Sequence, residues 1–187
     1  MDLLLALEEF ANEISRGHIE IYNEASIQCE LAVYLRGRLG DRHKIQLERN
    51  IDCFNVDRDR FLNKEMDIVV FDVDRKEKHC IELKFPTQGQ HPEQMFSACK
   101  DVRFLEQLIQ SGFGDCYFMM FADDHLFYVD KGDDGIYRLF RKEKLISGEV
   151  RKPTGKRDEV LHFDREHKIE WRTLENNLKY FVIELKT

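Results

Sequence analysis

EMDIVVFDVDRKEKHCIELKF, residues 65–85, contains two apolar runs separated by a charged segment, and this pattern predicts a β-hairpin. Because side chains alternate along a strand, Glu82 and Lys84 of the second run lie on one face. Directly paired residues of an antiparallel hairpin share a face. With a turn centred near residues 75–77, Asp67 lies opposite Lys84 or one step beyond. The hairpin is therefore expected to bring two carboxylates and one ammonium together at one end.

The composition is that of a protein with a substantial core. The chain has 187 residues, of which 42% are hydrophobic, so a single domain is expected. No apolar run approaches membrane-spanning length, and acidic residues interrupt the N-terminal segment MDLLLALEEFANEI, which favours an amphipathic helix over a signal peptide.

Five scattered cysteines without a CxxC pair favour reduced thiols in a cytoplasmic protein. The net charge of −7 argues against a protein that coats nucleic acid, although a local basic groove is compatible with it.

The order of helices and strands indicates a mixed fold. Apolar residues at helical spacing predict helices at residues 2–16, 23–39 and 92–111. A strand at 45–51 precedes the hairpin, and a strongly apolar strand at 115–122 follows the third helix. The third helix is expected to form a right-handed crossover between parallel strands. The class is therefore α/β, or α+β with a mixed central sheet.

The chain is expected to form one domain, residues 1–187, with a core at 18–122 and a β-rich C-terminal extension at 123–187. We expect the extension to serve as a substrate flap or a dimer surface. Its patterns predict a second hairpin built from 125–129 and 136–141 around Gly132 and Gly135, a charged mobile loop at 142–158, and strands at 160–163, 168–172 and 179–185.

The charged trio of the hairpin is suited to one type of chemistry. Two neighbouring carboxylates repel each other, and a divalent cation removes that repulsion; oxygen ligands suit Mg²⁺ or Mn²⁺ rather than zinc. Such a cation lowers the pKa of bound water and polarises a phosphate oxygen. A lysine on the same face orients or helps to deprotonate the attacking water, and it stabilises the transition state. Asp67, Glu82 and Lys84 thus contain what metal-dependent phosphodiester hydrolysis requires.

Glu24 is a further acid in an unusual position. At about 100° per residue, it falls near the centre of the apolar stripe of the second helix. A carboxylate on a buried face serves either as a cap at the helix start or as part of a site. Glu24 is therefore a candidate to complete a metal shell.

The arrangement resembles the PD-(D/E)xK, or restriction-endonuclease-like, nuclease superfamily. Asp67 is followed after 14 residues by Glu82-x-Lys84, on the second and third strands after an opening helix. The resemblance covers residues 23–122, whose order of helix, three strands, helix, strand matches the common core of the family. Gln94, on the helix after the motif, resembles glutamines that some members place near the site. The residue before Asp67 is methionine rather than the proline of the family pattern.

The resemblance implies a role for each of these residues. Asp67 and Glu82 are expected to be metal ligands and Lys84 the catalytic lysine. Glu24 is expected to be the acid on the opening helix and a third metal ligand, with Glu30 as the alternative. The cofactor implied is Mg²⁺ or Mn²⁺.

The sequence also contains a rival to this motif. IELK occurs at residues 81–84 and again at 183–186, close to the end of the given sequence. The second copy has no following helix, although Asp164 and Glu170 are available as partner acids. The first copy is preferred because Asp67 lies in the same hairpin.

Three functions remain open at this point. The first is a Mg²⁺-dependent nuclease, with DNA favoured over RNA as substrate. The second is a catalytically inactive module of the same fold that binds nucleic acid or a protein partner. In the third, Glu82 and Lys84 form an ordinary cross-strand ion pair on the surface, which contributes roughly 0–1 kcal/mol.

Overall fold

A computed structural model describes residues 2–87, 89–131, 134–155 and 158–187. The helices are α1 (Leu3–Ser15), α2 (Glu24–Leu39), α3 (His91–Gln110) and α4 (Ile136–Arg141). The strands are β1 (His43–Asn50), β2 (Glu65–Asp72), β3 (Lys78–Lys84), β4 (Cys116–Ala122), β5 (Leu145–Arg151), β6 (Val160–Lys168), β7 (Arg172–Thr173) and β8 (Lys179–Leu185).

Six strands form one mixed sheet in the order β1-β2-β3-β4-β8-β7, while β5 and β6 form a separate antiparallel pair. Strands β3 and β4 are parallel, and α3 makes the crossover between them. The other neighbours in the large sheet are antiparallel. The expectation of a mixed α/β fold with a mixed sheet is confirmed. Because β8 lies beside β4, the C-terminal region contributes a strand to the main sheet.

Helices cover both faces of the sheet. On one face, α1 and α2 pack against Ile68, Val70, Ile81 and Leu83. On the other face, α3 packs against a cluster that includes Val69, Phe71 and Cys80. Strands buried on both sides read as continuous apolar runs, and all of β4 is buried. Polar side chains inside β2 and β3 are exceptions to this pattern. No helix in the described part of the chain is long and apolar enough to cross a membrane.

The start of α2 is defined by a capping box. The Asn23 side chain accepts a hydrogen bond from Ser26 N, and the Ser26 hydroxyl oxygen accepts one from Asn23 N. Gly40 ends the helix with a φ of 62°. Both boundaries agree with the sequence prediction. The cap places Glu24 in the first turn of α2, near the end of β3.

The register of the hairpin differs from the prediction. The pairs Ile68↔Ile81 and Val69↔Cys80 place Asp67 opposite Glu82, so the prediction that Asp67 lies opposite Lys84 or one step beyond is wrong. Asp72 is the cause, since its side chain accepts a hydrogen bond from Glu77 N and its carbonyl accepts one from Arg75 N, 3.1 Å each. The turn is therefore centred between residues 74 and 75, so the partner of Asp67 lies two residues before Lys84.

The predicted second hairpin is also wrong. Residues His125–Phe127 form a 3₁₀ turn, in which Leu126 N donates a hydrogen bond to the Asp124 carboxylate. Residues 136–141 form α4, because Ile136, Leu139 and Phe140 recur at helical spacing and are buried together. Gly132, around which the hairpin was predicted, lies outside the described residues.

The predicted mobile loop at 142–158 contains a strand. Strand β5 pairs with β6, and its residues Ile146 and Val150 are buried in the core. Gly148, which suggested a loop, has a φ of 63° at an irregularity in the β5–β6 pairing, where glycine is tolerated inside a strand. The strand predicted at 168–172 is divided between the end of β6 and the short β7, and the strand at 179–185 is confirmed.

Two glycines with different surroundings give a test of the packing. A Cβ added to Gly114, before β4, would lie 2.8 Å from His79 Cε1, and His79 Nδ1 donates to the Asp115 carbonyl at 2.8 Å. We expect Gly114→Ala to displace this ring and cost about 1–3 kcal/mol. Gly37, exposed in α2, has no atom within 4 Å of an added Cβ, so Gly37→Ala is expected to stabilise by about 1 kcal/mol. Urea unfolding of both variants measures this, and equal effects would contradict the packing described.

Candidate active site

An open polar pocket of about 390 Å³ lies where the ends of β2 and β3 face α3. Five carboxylates and two ammonium groups line it, so the pocket has a deficit of positive charge when all are ionised. Its lining residues are Glu48, Leu62, Asn63, Lys64, Glu65, Asp67, Glu82, Lys84 and Asp101.

Backbone hydrogen bonds across the hairpin orient the two predicted ligands, Asp67 and Glu82. Asp67 N donates to Glu82 Oε1 at 3.2 Å, and Leu83 N donates to Asp67 Oδ2 at 2.7 Å. From α2, the Gln28 side chain donates to the Asp67 carbonyl at 2.9 Å. The two carboxylates are therefore held side by side.

Burial raises the pKa values of the three acids in the pocket, Asp67, Glu82 and Asp101. The pKa of Asp67 is raised to about 7, mainly by burial. The hydrogen bond from Leu83 N lowers this pKa, and the negative charge of Glu24 raises it further. Burial, followed by the charge of Asp67, raises the pKa of Glu82 well above its ordinary value. Burial also raises the pKa of Asp101. A bound cation would favour the ionised forms of all three.

Lys84 is a partly buried cation between two acids. Its Nζ lies 3.0 Å from Asp101 Oδ2 and 3.6 Å from Glu24 Oε2. Burial by itself would lower the pKa of Lys84, but the charges of Asp101 and Glu24 outweigh it and raise that pKa. The side chain therefore carries a positive charge in the pocket at neutral pH.

The interpretation of Glu82 and Lys84 as an ordinary surface ion pair is wrong. Glu82 is only 3% exposed, and the acids within ion-pair distance of Lys84 in the described chain are Asp101 and Glu24.

Asp101 is a site residue that the sequence analysis missed. It lies on α3, and its Oδ1 accepts a hydrogen bond from Asn63 Nδ2 at 3.1 Å. A signal for it exists in the sequence. Apolar residues lie three positions before it and three, four and seven positions after it, so this carboxylate falls on a buried face of the helix: Ala98, Phe104, Leu105 and Leu108.

Glu48 was also missed, and its position has no clear sequence signal. It is in β1 with a φ of 47°, a left-handed conformation that is uncommon for a glutamate. The Gln28 amide that holds the Asp67 carbonyl also donates to Glu48 Oε1 at 2.6 Å. Gln28 thus connects β1 and β2 at the edge of the pocket.

The structure brings Glu24 to Lys84 rather than directly to the ligand pair. Glu24 Oε2 also accepts a hydrogen bond from Phe85 N at 3.3 Å. Glu24 and Gln94 line an adjoining pocket, also of about 390 Å³. Glu30 is exposed and lines neither pocket. Of the two candidates for the helix acid, Glu24 is therefore the one near the hairpin.

The pair of hairpin acids fits a magnesium-type cation. Asp67 Oδ1 and Glu82 Oε2 accept no hydrogen bond from any residue described. Mg²⁺ is commonly held by one or two carboxylates and completes its shell with water and substrate oxygens. Over the described ranges, no three His, Cys, Asp or Glu side chains are grouped to hold a metal. Asp67 and Glu82 would hold the cation, and the role of Glu24 as a third ligand stays a prediction, since its ion pair is with Lys84 and its hydrogen bond comes from Phe85 N.

The second IELK lies in a different environment. Lys186, just after β8, is 69% exposed and pairs with Glu184 of that strand at 3.0 Å, whereas Lys84 is 14% exposed. Glu184, Lys186 and Asp164 line a cavity of about 240 Å³ between α3, β6 and β8, which Glu170 does not line. The difference in burial favours the first copy.

Comparisons with protein-family models, with curated proteins and with solved structures find no match for this chain. The resemblance to the PD-(D/E)xK superfamily therefore stays a prediction, and the functional argument depends on the geometry and charge of the pocket.

Proposed function

We propose that the protein is a Mg²⁺- or Mn²⁺-dependent nuclease that hydrolyses phosphodiester bonds of nucleic acid, with DNA favoured over RNA. One arrangement of side chains around the pocket carries the proposal. The neighbouring carboxylates of Asp67 and Glu82 each keep one oxygen free of hydrogen bonds from the described chain, 390 Å³ of open pocket lies beside them, and Lys84 lines the same pocket.

Asp67 and Glu82 act as the cation ligands in this proposal. Their backbone partners fix one oxygen of each and leave the other available to hold a cation. A bound divalent cation supplies polarisation of a phosphate oxygen and a lower pKa for bound water. Because the pKa values of both acids are raised in the metal-free protein, loading is expected to release protons and to strengthen as the pH rises.

Lys84 acts as a fixed positive charge. The sequence left open whether it helps to deprotonate water or stabilises the transition state. Its raised pKa favours the second role, since a lysine that keeps its proton is a poor base. An ammonium placed beside the phosphate stabilises the negative charge that develops there.

The alternative function is a catalytically inactive module of the same fold. It is kept because Glu24 and Asp101 already neutralise the charge of Lys84, which leaves less of that charge for a phosphate. Metal titration separates the two functions. A nuclease site is expected to bind Mn²⁺ in a manner that Glu82→Gln abolishes, whereas a module that has lost catalysis need not bind it.

The test of the proposal is a cleavage assay on single- and double-stranded DNA and RNA. We expect Mg²⁺ or Mn²⁺ to support cleavage of at least one substrate, EDTA to stop it, and Glu82→Gln to lower the rate by at least about 1,000-fold. Glu184→Gln, which changes the corresponding acid of the second IELK, is the matched control and should leave the rate within twofold. Cleavage that persists in EDTA or in Glu82→Gln would overturn the proposal.

A further inference from the structure

The ammonium of Lys84 lies within ion-pair distance of two carboxylates. Four rotatable bonds separate its charge from the backbone, so an unconstrained lysine samples many positions. Here Nζ lies between α2 and α3, 3.6 Å from Glu24 Oε2 and 3.0 Å from Asp101 Oδ2. The position of the charge therefore depends on these two acids.

Of the two acids, Asp101 is the more buried. Its side chain is 10% exposed, and that of Glu24 is 43% exposed. Asp101 lies in the middle of α3, where most of its neighbours are buried in the core. Its second oxygen accepts a hydrogen bond from Asn63 of the segment before β2. Glu24, in the first turn of α2, divides its contacts between Lys84 and the backbone of Phe85.

The segment that carries Asn63 is itself attached to α3. Gln107 accepts a hydrogen bond from Leu62 N and donates one to the Arg60 carbonyl, at 2.9 Å each. The aromatic rings of Phe61 and Phe104 pack edge to face between these contacts. Asn63 is therefore anchored where it can orient the Asp101 carboxylate.

We propose that Asp101 is the positioning residue of Lys84. Its buried carboxylate fixes the ammonium at one place in the pocket, and Asn63 fixes the carboxylate. The catalytic consequence rests on the proposed nuclease function; the ordering of Lys84 does not. Asp101 acts through Lys84 and contacts neither cation nor substrate.

A buried acid of the same helix provides a matched control. Glu106 is 6% exposed and pairs with His167 and Arg103, and it lines the cavity on the far side of α3 rather than the candidate active site. Loss of either acid removes a buried ion pair from α3. Only the loss of Asp101 changes the surroundings of Lys84.

The first measurement is steady-state cleavage. Asp101→Asn keeps the side-chain shape and an oxygen for Asn63 but loses the charge, and we expect kcat to fall about 10- to 100-fold with KM within about twofold. Asp101→Glu, which restores the carboxylate, should recover part of the loss, and Glu106→Gln should keep kcat within twofold. A kcat of Asp101→Asn within twofold of wild type, or an equal loss in Glu106→Gln, would overturn the proposal.

The second measurement needs no activity. In ¹H–¹⁵N spectra of lysine ammonium groups, the Lys84 signal, assigned by its absence in Lys84→Arg, should show slow proton exchange in the wild type and in Glu106→Gln. Asp101→Asn should speed that exchange at least tenfold. An unchanged Lys84 signal in Asp101→Asn would overturn the positioning role even if the protein cleaves. If the wild type cleaves no substrate, the nuclease function fails, and the spectra still decide the role of Asp101.

Discussion

Lys84→Ala is expected to lower Mg²⁺-dependent cleavage by at least about 1,000-fold, because it removes the positive charge that would face the reacting phosphate. Lys186→Ala is the matched control. Lys186 ends the second IELK, is 69% exposed and pairs with Glu184, two residues before it, so its loss should leave the rate within twofold. Initial rates of nicking or degradation of the best substrate in the panel measure both variants.

Lys84 also contributes to stability, through its ion pair with Asp101. Lys84→Ala leaves the buried Asp101 carboxylate without its ammonium partner, so we expect a loss of about 2–3 kcal/mol in the free energy of unfolding. Rates should therefore be compared well below both melting temperatures. Lys84→Arg keeps a charge for Asp101 and should keep most of the stability, but its broader guanidinium should still lower the rate. Cleavage that survives Lys84→Ala and disappears with Lys186→Ala would place the site at the second IELK.

Asp67→Asn is expected to have opposite effects on stability and on metal response. The pKa of Asp67 is raised from 3.8 to about 7 by burial, so the folded state prefers the protonated carboxyl. The stability associated with that proton is fully present below about pH 4 and is lost as the pH rises toward 7. Asparagine keeps an oxygen for the Leu83 N–H but carries no charge at any pH. At pH 8 in EDTA, we expect Asp67→Asn to be more stable than the wild type by about 2 kcal/mol.

Thermal unfolding at several pH values, with and without Mg²⁺, tests this expectation. The advantage of Asp67→Asn should disappear near pH 4, and added Mg²⁺ should raise the melting temperature of the wild type at pH 8 but not that of the variant. Asp164→Asn, which removes an exposed acid near the second IELK, should show neither effect. An Asp67→Asn protein that is less stable than the wild type at pH 8 would indicate that the ionised carboxylate stabilises the metal-free fold.

Much of the core could be predicted because the signals are local. The Asn23 cap, the apolar face of α2 and the continuous apolar run of β4 each depend on neighbouring residues. The extension was predicted poorly. Glycines there suggested loops and a hairpin, but burial of Ile146 and Val150 against β6 outweighed the glycine signal.

The sequence by itself determined the candidate trio, since alternation along β3 puts Glu82 and Lys84 on one face and the hairpin returns that face to Asp67. Tertiary structure decided the rest. The turn at Asp72 shifted the register and placed Asp67 opposite Glu82, and the crossover of α3 brought in Asp101, 17 positions beyond Lys84 in the chain. Burial distinguished the two IELK copies. Alternation and periodicity specify only which face a residue occupies, whereas the distance between elements and the exclusion of water depend on how the whole chain packs.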